Sequence, residues 1–74
     1  MQIIVKTLTG KKQPMNFELD NTVIQVKQAL QEKEGINIDQ IRLIFGGRQL
    51  NDDSRLSEYN LVAGAVIHMV LLLR

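Results

Sequence analysis

The chain contains no cysteine and no tryptophan, and has one proline, one histidine and one tyrosine in 74 residues. Without cysteine there is no disulfide framework, no thiolate nucleophile and no zinc–thiolate site, and the absence fits a reducing compartment. One histidine, His68, with scattered carboxylates falls short of zinc-ligand spacing. Nucleophilic catalysis needs a nucleophile, a base within hydrogen-bond reach and usually an orienting group. His68 sits in a strand pattern facing the same way as Val66 and Val70, so it reads as a surface or binding-surface residue. Gly46-Gly47 opens neither G-x-x-x-x-G-K-[ST] nor G-x-G-x-x-G, which excludes a phosphate loop, and Asp52-Asp53 is an acidic pair in a polar loop. The reading is a non-catalytic chain with no metal and no cofactor.

Long apolar runs are also missing: none approaches the ~18 residues of a membrane span, and the N-terminus carries no signal-peptide pattern. Nor does one sign of charge dominate, since nine basic residues oppose eight acidic ones along the chain. A nucleic-acid or membrane-surface protein would need a concentrated positive field. The expected location is cytoplasmic and nuclear, with neither nucleic acid nor membrane as partner.

What is present is globular: 45% of residues are hydrophobic and 23% charged. At this length a single domain over 1–74 is expected, burying roughly 60% of the surface its unfolded chain exposes. Residues 1–7 (MQIIVKT) read as a strand with Met1, Ile3 and Val5 on one face. A turn follows at 7–10, where Gly10 suits a positive φ. The next strand, 12–17, contains Pro14, which belongs on a sheet edge because it cannot donate to a ladder. Thr22-Val23-Ile24-Gln25 is a capping-box pattern. Val23, Val26 and Leu30 give one apolar stripe, and Gly35 is a C-cap, so the spacing predicts a helix over 23–34. IRLIF at 41–45 is a strand, Gly46-Gly47 a two-residue hairpin turn, and 48–50 a short return strand. One helical turn is expected at 56–59, and a last strand at 65–72 sets Ile67, Met69 and Leu71 on one face. One helix must then cover one mixed sheet of four to five strands, through a right-handed crossover, as an α+β roll of the β-grasp kind.

Apolar residues exceed what one core can hold. If Ile41, Leu43 and Phe45 point inward, Ile44 turns outward beside Arg42, and the last strand turns Val70 outward beside His68. Leu8 lies at a hairpin tip. Such residues form a docking surface if contiguous, or simply satisfy β-propensity if not; the pattern supports both.

The residues also resemble a known family. MQIIVKTLTGK at the start, EKEGI at 32–36, DQIRLIFGGRQL at 39–50 and HMVLLLR at 68–74 are similar to ubiquitin and its nearest modifier relatives, across all 74 positions. Asn51-Asp52-Asp53, Gly64-Ala65-Val66 and the Leu71-Leu72-Leu73-Arg74 tail resemble the Nedd/Rub-type modifier more than ubiquitin itself. The resemblance implies a ubiquitin-like β-grasp roll with its tail from about residue 71. It implies a protein modifier attached to lysines of target proteins by an E1-E2-E3 cascade. Its partners would be those enzymes, deconjugating proteases, ubiquitin-binding-type domains and cullins as targets, with the modifier itself a monomer. Carried over by position, the recognition patch falls on Leu8, Ile44, His68 and Val70, and a second apolar surface on Ile36, Leu71 and Leu73. Leu72 stands where ubiquitin has an arginine read by the activating enzyme. A site built for guanidinium would be left unpaired by leucine; the plainer reading is drift in a tail. Lys27 is implied to pair with Asp52 inside the fold and to be a poor acceptor, leaving Lys6, Lys11 and Lys33 as candidate acceptor lysines. Arg48 and Ala63 replace ubiquitin's major linkage lysines, and a guanidinium cannot serve as an acylated amine. Conjugation requires a diglycine, absent from a sequence whose final residue is Arg74. The alternatives are a non-conjugated docking domain of a larger protein and a divergent or engineered ubiquitin.

Overall fold

The structure is a computed structural model that describes residues 1–7 and 9–72. The expectations attached to Leu8, Leu73 and Arg74 lie outside the described residues. Five strands and one α-helix follow in the order β1 (Gln2–Lys6), β2 (Lys12–Asn16), α1 (Val23–Glu34), β3 (Ile41–Phe45), β4 (Arg48–Gln49) and β5 (Val66–Leu71), with 3-10 helices at Ile38–Gln40 and Leu56–Tyr59. The sheet order is β2-β1-β5-β3-β4. The β1–β5 pair is parallel and the other ladders antiparallel. This is the expected α+β grasp, with five strands.

Local chemistry accounts for the element ends. Thr22 is extended, and its backbone N–H donates to the Gln25 side-chain oxygen at 2.8 Å, the amide arm of the anticipated capping box. The first helical donors are met by the loop after β4: Val23 N–H donates to the Ser54 carbonyl at 2.9 Å and Ile24 N–H to that of Asp52 at 3.1 Å. These would otherwise be unsatisfied at the helix start. Gly35 ends the helix in the left-handed region at φ 67°. Gly46 and Gly47 both hold positive φ, 61° and 78°, as a two-residue type I′ hairpin turn requires. Pro14 sits on β2, an edge strand.

The core lies between α1 and the sheet. Ile3 and Val5 from β1, Leu43 from β3 and Ile67 from β5 are fully buried, as are Val23, Val26 and Leu30 of the helix. Each such side chain contributes roughly 1.5–3 kcal/mol by leaving water. Leu50 and Leu61 from loops and Leu56 from the second 3-10 helix complete the cluster. Lys27 shares the buried helix stripe, and its ammonium pairs with Asp52.

Two details differ from the sequence expectation. The 3-10 helix at Ile38–Gln40 was not anticipated, since three residues give no periodicity to read. Leu71 belongs to β5, inside the strand read at 65–72 and not in the tail that the resemblance implied from about residue 71, and the pairing runs one bond further, with Leu72 N–H donating to the Gln40 carbonyl at 2.7 Å.

Candidate functional site

Strand alternation sorts side chains onto two faces. In β3, Ile41 and Leu43 are buried under the helix while Arg42 and Ile44 are half-buried on the outer face. In β5, Ile67 and Met69 are buried, while exposed His68 and half-buried Val70 face outward. Ladder register decides whether these meet. Ile44 is directly opposite His68, and Arg42 opposite Val70, so Ile44 and Val70 are diagonal neighbours on one face, about 7–8 Å apart by backbone geometry. The structure therefore brings Ile44, His68 and Val70 together. It also sets Lys6 opposite His68 and Gln49 opposite Ile44, a polar rim around an aliphatic pair.

Ile36 and Leu71 meet at a separate shallow depression of about 160 Å³, lined also by Thr7, Thr9, Lys11 and Met69. Leu72 is half-buried and lines a larger depression of about 610 Å³ with Ile38, Asp39, Ile41, Arg42 and Gln49. The tail thus enters this surface with the Leu72 side chain against the fold and its backbone bound to Gln40.

The lysines occupy different environments. Lys6 is half-buried on β1, whereas Lys11 and Lys33 are exposed. Lys27 is 7% exposed, so its amine is shielded from any second protein. Arg48 packs over the Tyr59 ring at 5.9 Å, and the Tyr59 hydroxyl accepts the Asn51 N–H at 2.8 Å. That contact fixes the loop carrying Asp52. Among the described residues, no cluster of three or more His, Cys, Asp or Glu is placed to hold a metal ion. No helix among them is long and apolar enough to cross a membrane.

Sequence reasoning passed over Ile4, which lies on the outer face directly opposite Pro14 and Val66. The signal was available in the run Ile3-Ile4-Val5, where strict alternation forces one of three apolar residues outward.

One helix gripping a five-stranded mixed sheet, with aliphatic side chains displayed on the sheet's far face, defines a small domain of ubiquitin-like β-grasp architecture. The profile of the ubiquitin family matches residues 3–74. The chain is 47% identical over its 74 residues to the ubiquitin-like protein NEDD8 of Dictyostelium discoideum, covering all of this chain and 96% of that protein. It is 45% identical to the NEDD8-like protein RUB3 of Arabidopsis thaliana, covering 95% of it. To the NEDD8-like protein RUB1 of Saccharomyces cerevisiae it is 43% identical, covering 96%. The chain belongs to the ubiquitin family, among whose members it is similar to NEDD8/Rub-type proteins.

Proposed function

We propose that the chain acts as a Nedd/Rub-type modifier, joined to lysines of target proteins through an E1-E2-E3 cascade and read through its outer sheet face. The observation that carries this reading is the meeting of Ile44, His68 and Val70 on one surface where β-strand alternation alone would favour polar residues. A partner that covers Ile44 and Val70 removes a compact aliphatic pair from water and makes its polar contacts on His68 and Arg42, an anchor surrounded by a wet rim.

The cascade's enzymes supply the chemistry and this chain supplies the tail. The reacting carboxylate would belong to glycines following Arg74, because only a tail without side chains passes closely enough by nucleotide and thiol. Leu72 is the position where an activating enzyme distinguishes this modifier from ubiquitin: its apolar side chain leaves a guanidinium-binding site empty. Cullins are the expected targets, deconjugating proteases and ubiquitin-binding-type domains the further partners, and cytoplasm and nucleus the locations.

The test is thioester formation on a version extended by Gly-Gly. Charging by a Nedd-type activating enzyme is expected, with ubiquitin-activating enzyme the poorer catalyst. Preference for the latter would reverse the assignment, and charging by neither would leave a docking domain that is not conjugated.

A further inference from the structure

The basic residues are scattered along the chain, but ladder register gathers three of them. Lys6 is directly opposite Lys12 on β2 and His68 on β5. Val5, Met15 and Ile67 take the buried face of the same strands, so alternation turns Lys6, Lys12 and His68 outward together. With strands ~4.8 Å apart, the row Lys12–Lys6–His68 spans roughly 10 Å. It starts at the sheet edge, which β2 forms, and it ends at Ile44, the residue opposite His68 on β3.

Lys6 directly opposite Lys12 is an unfavourable like-charge arrangement, and no strand carries a carboxylate to offset it. All eight acidic residues lie off the strands. The one salt bridge among the described residues joins Lys27 to Asp52. Lys11, next to Lys12 in the chain, instead lines the depression that also holds Glu34. Lys12 is exposed and Lys6 half-buried, so the row offers N–H donors to solvent with their counter-charge missing.

We infer that Lys12, Lys6 and His68 form a binding site for a compact polyphosphate, a molecule presenting two or three phosphates about as far apart as neighbouring strands, ~5 Å. Its oxygens accept charge-assisted hydrogen bonds from the two ammonium groups and hydrogen bonds from the imidazole N–H. The phosphates supply the negative charge that the sheet lacks. An extended polyanion is a poorer fit, because the row stops at the sheet edge on one side and at Ile44 on the other. Single-stranded nucleic acid fits poorly as well, since the row holds no aromatic platform for bases. Soluble phosphorylated polyols and phosphorylated lipid headgroups share the chemistry that the row recognises. The site goes beyond the modifier reading and does not rest on it, since it uses neither the tail nor the cascade.

The test is a titration of the isotope-labelled chain with inositol hexakisphosphate, followed by amide chemical shifts, with inorganic phosphate at equal ionic strength as the comparison. The hexakisphosphate is expected to shift Lys6, Lys12 and His68 and to saturate. Inorganic phosphate should bind roughly tenfold more weakly, because it engages fewer of the donors. Lys12→Ala should weaken the hexakisphosphate by roughly fivefold. Lys33→Ala removes the same charge from the helix and should change the affinity by less than about twofold, since salt screens distant exposed charges. Sedimentation with phosphatidylcholine vesicles, with and without phosphatidylinositol bisphosphate, separates the two sources. Binding only to the phosphorylated vesicles, lowered by Lys12→Ala, assigns the site to a lipid headgroup; saturable soluble binding without it assigns a free polyphosphate. Equal weakening by Lys12→Ala and Lys33→Ala would overturn the proposal, as would inorganic phosphate binding as tightly as the hexakisphosphate. The absence of shifts at Lys6, Lys12 and His68 would overturn it too.

Discussion

Ile44 stands directly opposite His68 across the β3–β5 ladder, with Val70 the next outward residue on β5. Because Ile44 lies outside the core, the recognition role proposed for it can be tested separately from stability. Ile44→Ala should weaken binding of a ubiquitin-binding-type domain by about tenfold or more, as expected for a central aliphatic anchor. It should change the unfolding free energy by no more than about 1 kcal/mol. Calorimetric titration and urea denaturation measure the two, and undiminished binding would remove Ile44 from the recognition surface.

The Lys27–Asp52 pair has one buried and one half-exposed partner: the Lys27 side chain is 8% exposed and that of Asp52 49%. Asp52→Asn withdraws the counter-charge from a buried ammonium and should cost about 1–2 kcal/mol. Adding Lys27→Met removes the stranded charge while keeping most of the stem, and should recover much of that loss. Urea unfolding of the single and double variants forms the required cycle. Losses in the two single variants that simply add in the double variant would mean that the ion pair is energetically idle.

Burial also decides which amines can react. Exposed Lys11 and Lys33 and half-buried Lys6 can approach an external electrophile, whereas Lys27 must first leave its pocket and Asp52. Limited acetylation followed by peptide mass spectrometry should label Lys11 and Lys33 early and Lys27 last. Early modification of Lys27 in the folded chain would contradict the buried pairing.

At the β3–β4 turn, the expected cost comes from backbone conformation alone. A Cβ added at Gly47 meets nothing within 4 Å, but φ there is 78°. Gly47→Ala should therefore destabilise by about 1–2 kcal/mol, and Gly46→Asn, at φ 61°, by less, because asparagine tolerates the left-handed region. Thermal unfolding would show it, and a neutral Gly47→Ala would mean that the turn relaxes to another type.

Much of this fold was legible in the sequence because its punctuation is chemical. Thr22, Gln25 and Gly35 bound a helix whose limits, Val23–Glu34, agree with the expectation, and Gly46-Gly47 marks its hairpin directly. Strand ends shifted by a residue or so, because pairing partners and not local pattern decide where a ladder stops. Ladder register could not be read at all: that Ile44 faces His68, and Ile4 both Pro14 and Val66, depends on residues far apart in the chain. The same holds for the Tyr59 hydroxyl on the Asn51 N–H, which no periodicity encodes. Lys27 shows a further limit, since a charged residue on an apolar helix stripe is recognisable as buried only once its partner is known.

The strand formed last in sequence, β5, occupies the middle of the sheet between β1 and β3. Until Val66–Leu71 is in place, the amino-terminal hairpin and the β3–β4 hairpin have no backbone bridge and each exposes an open edge. During synthesis the sheet therefore cannot close until nearly all of these residues have left the ribosome. Loss of that one segment would divide the sheet into two separate hairpins.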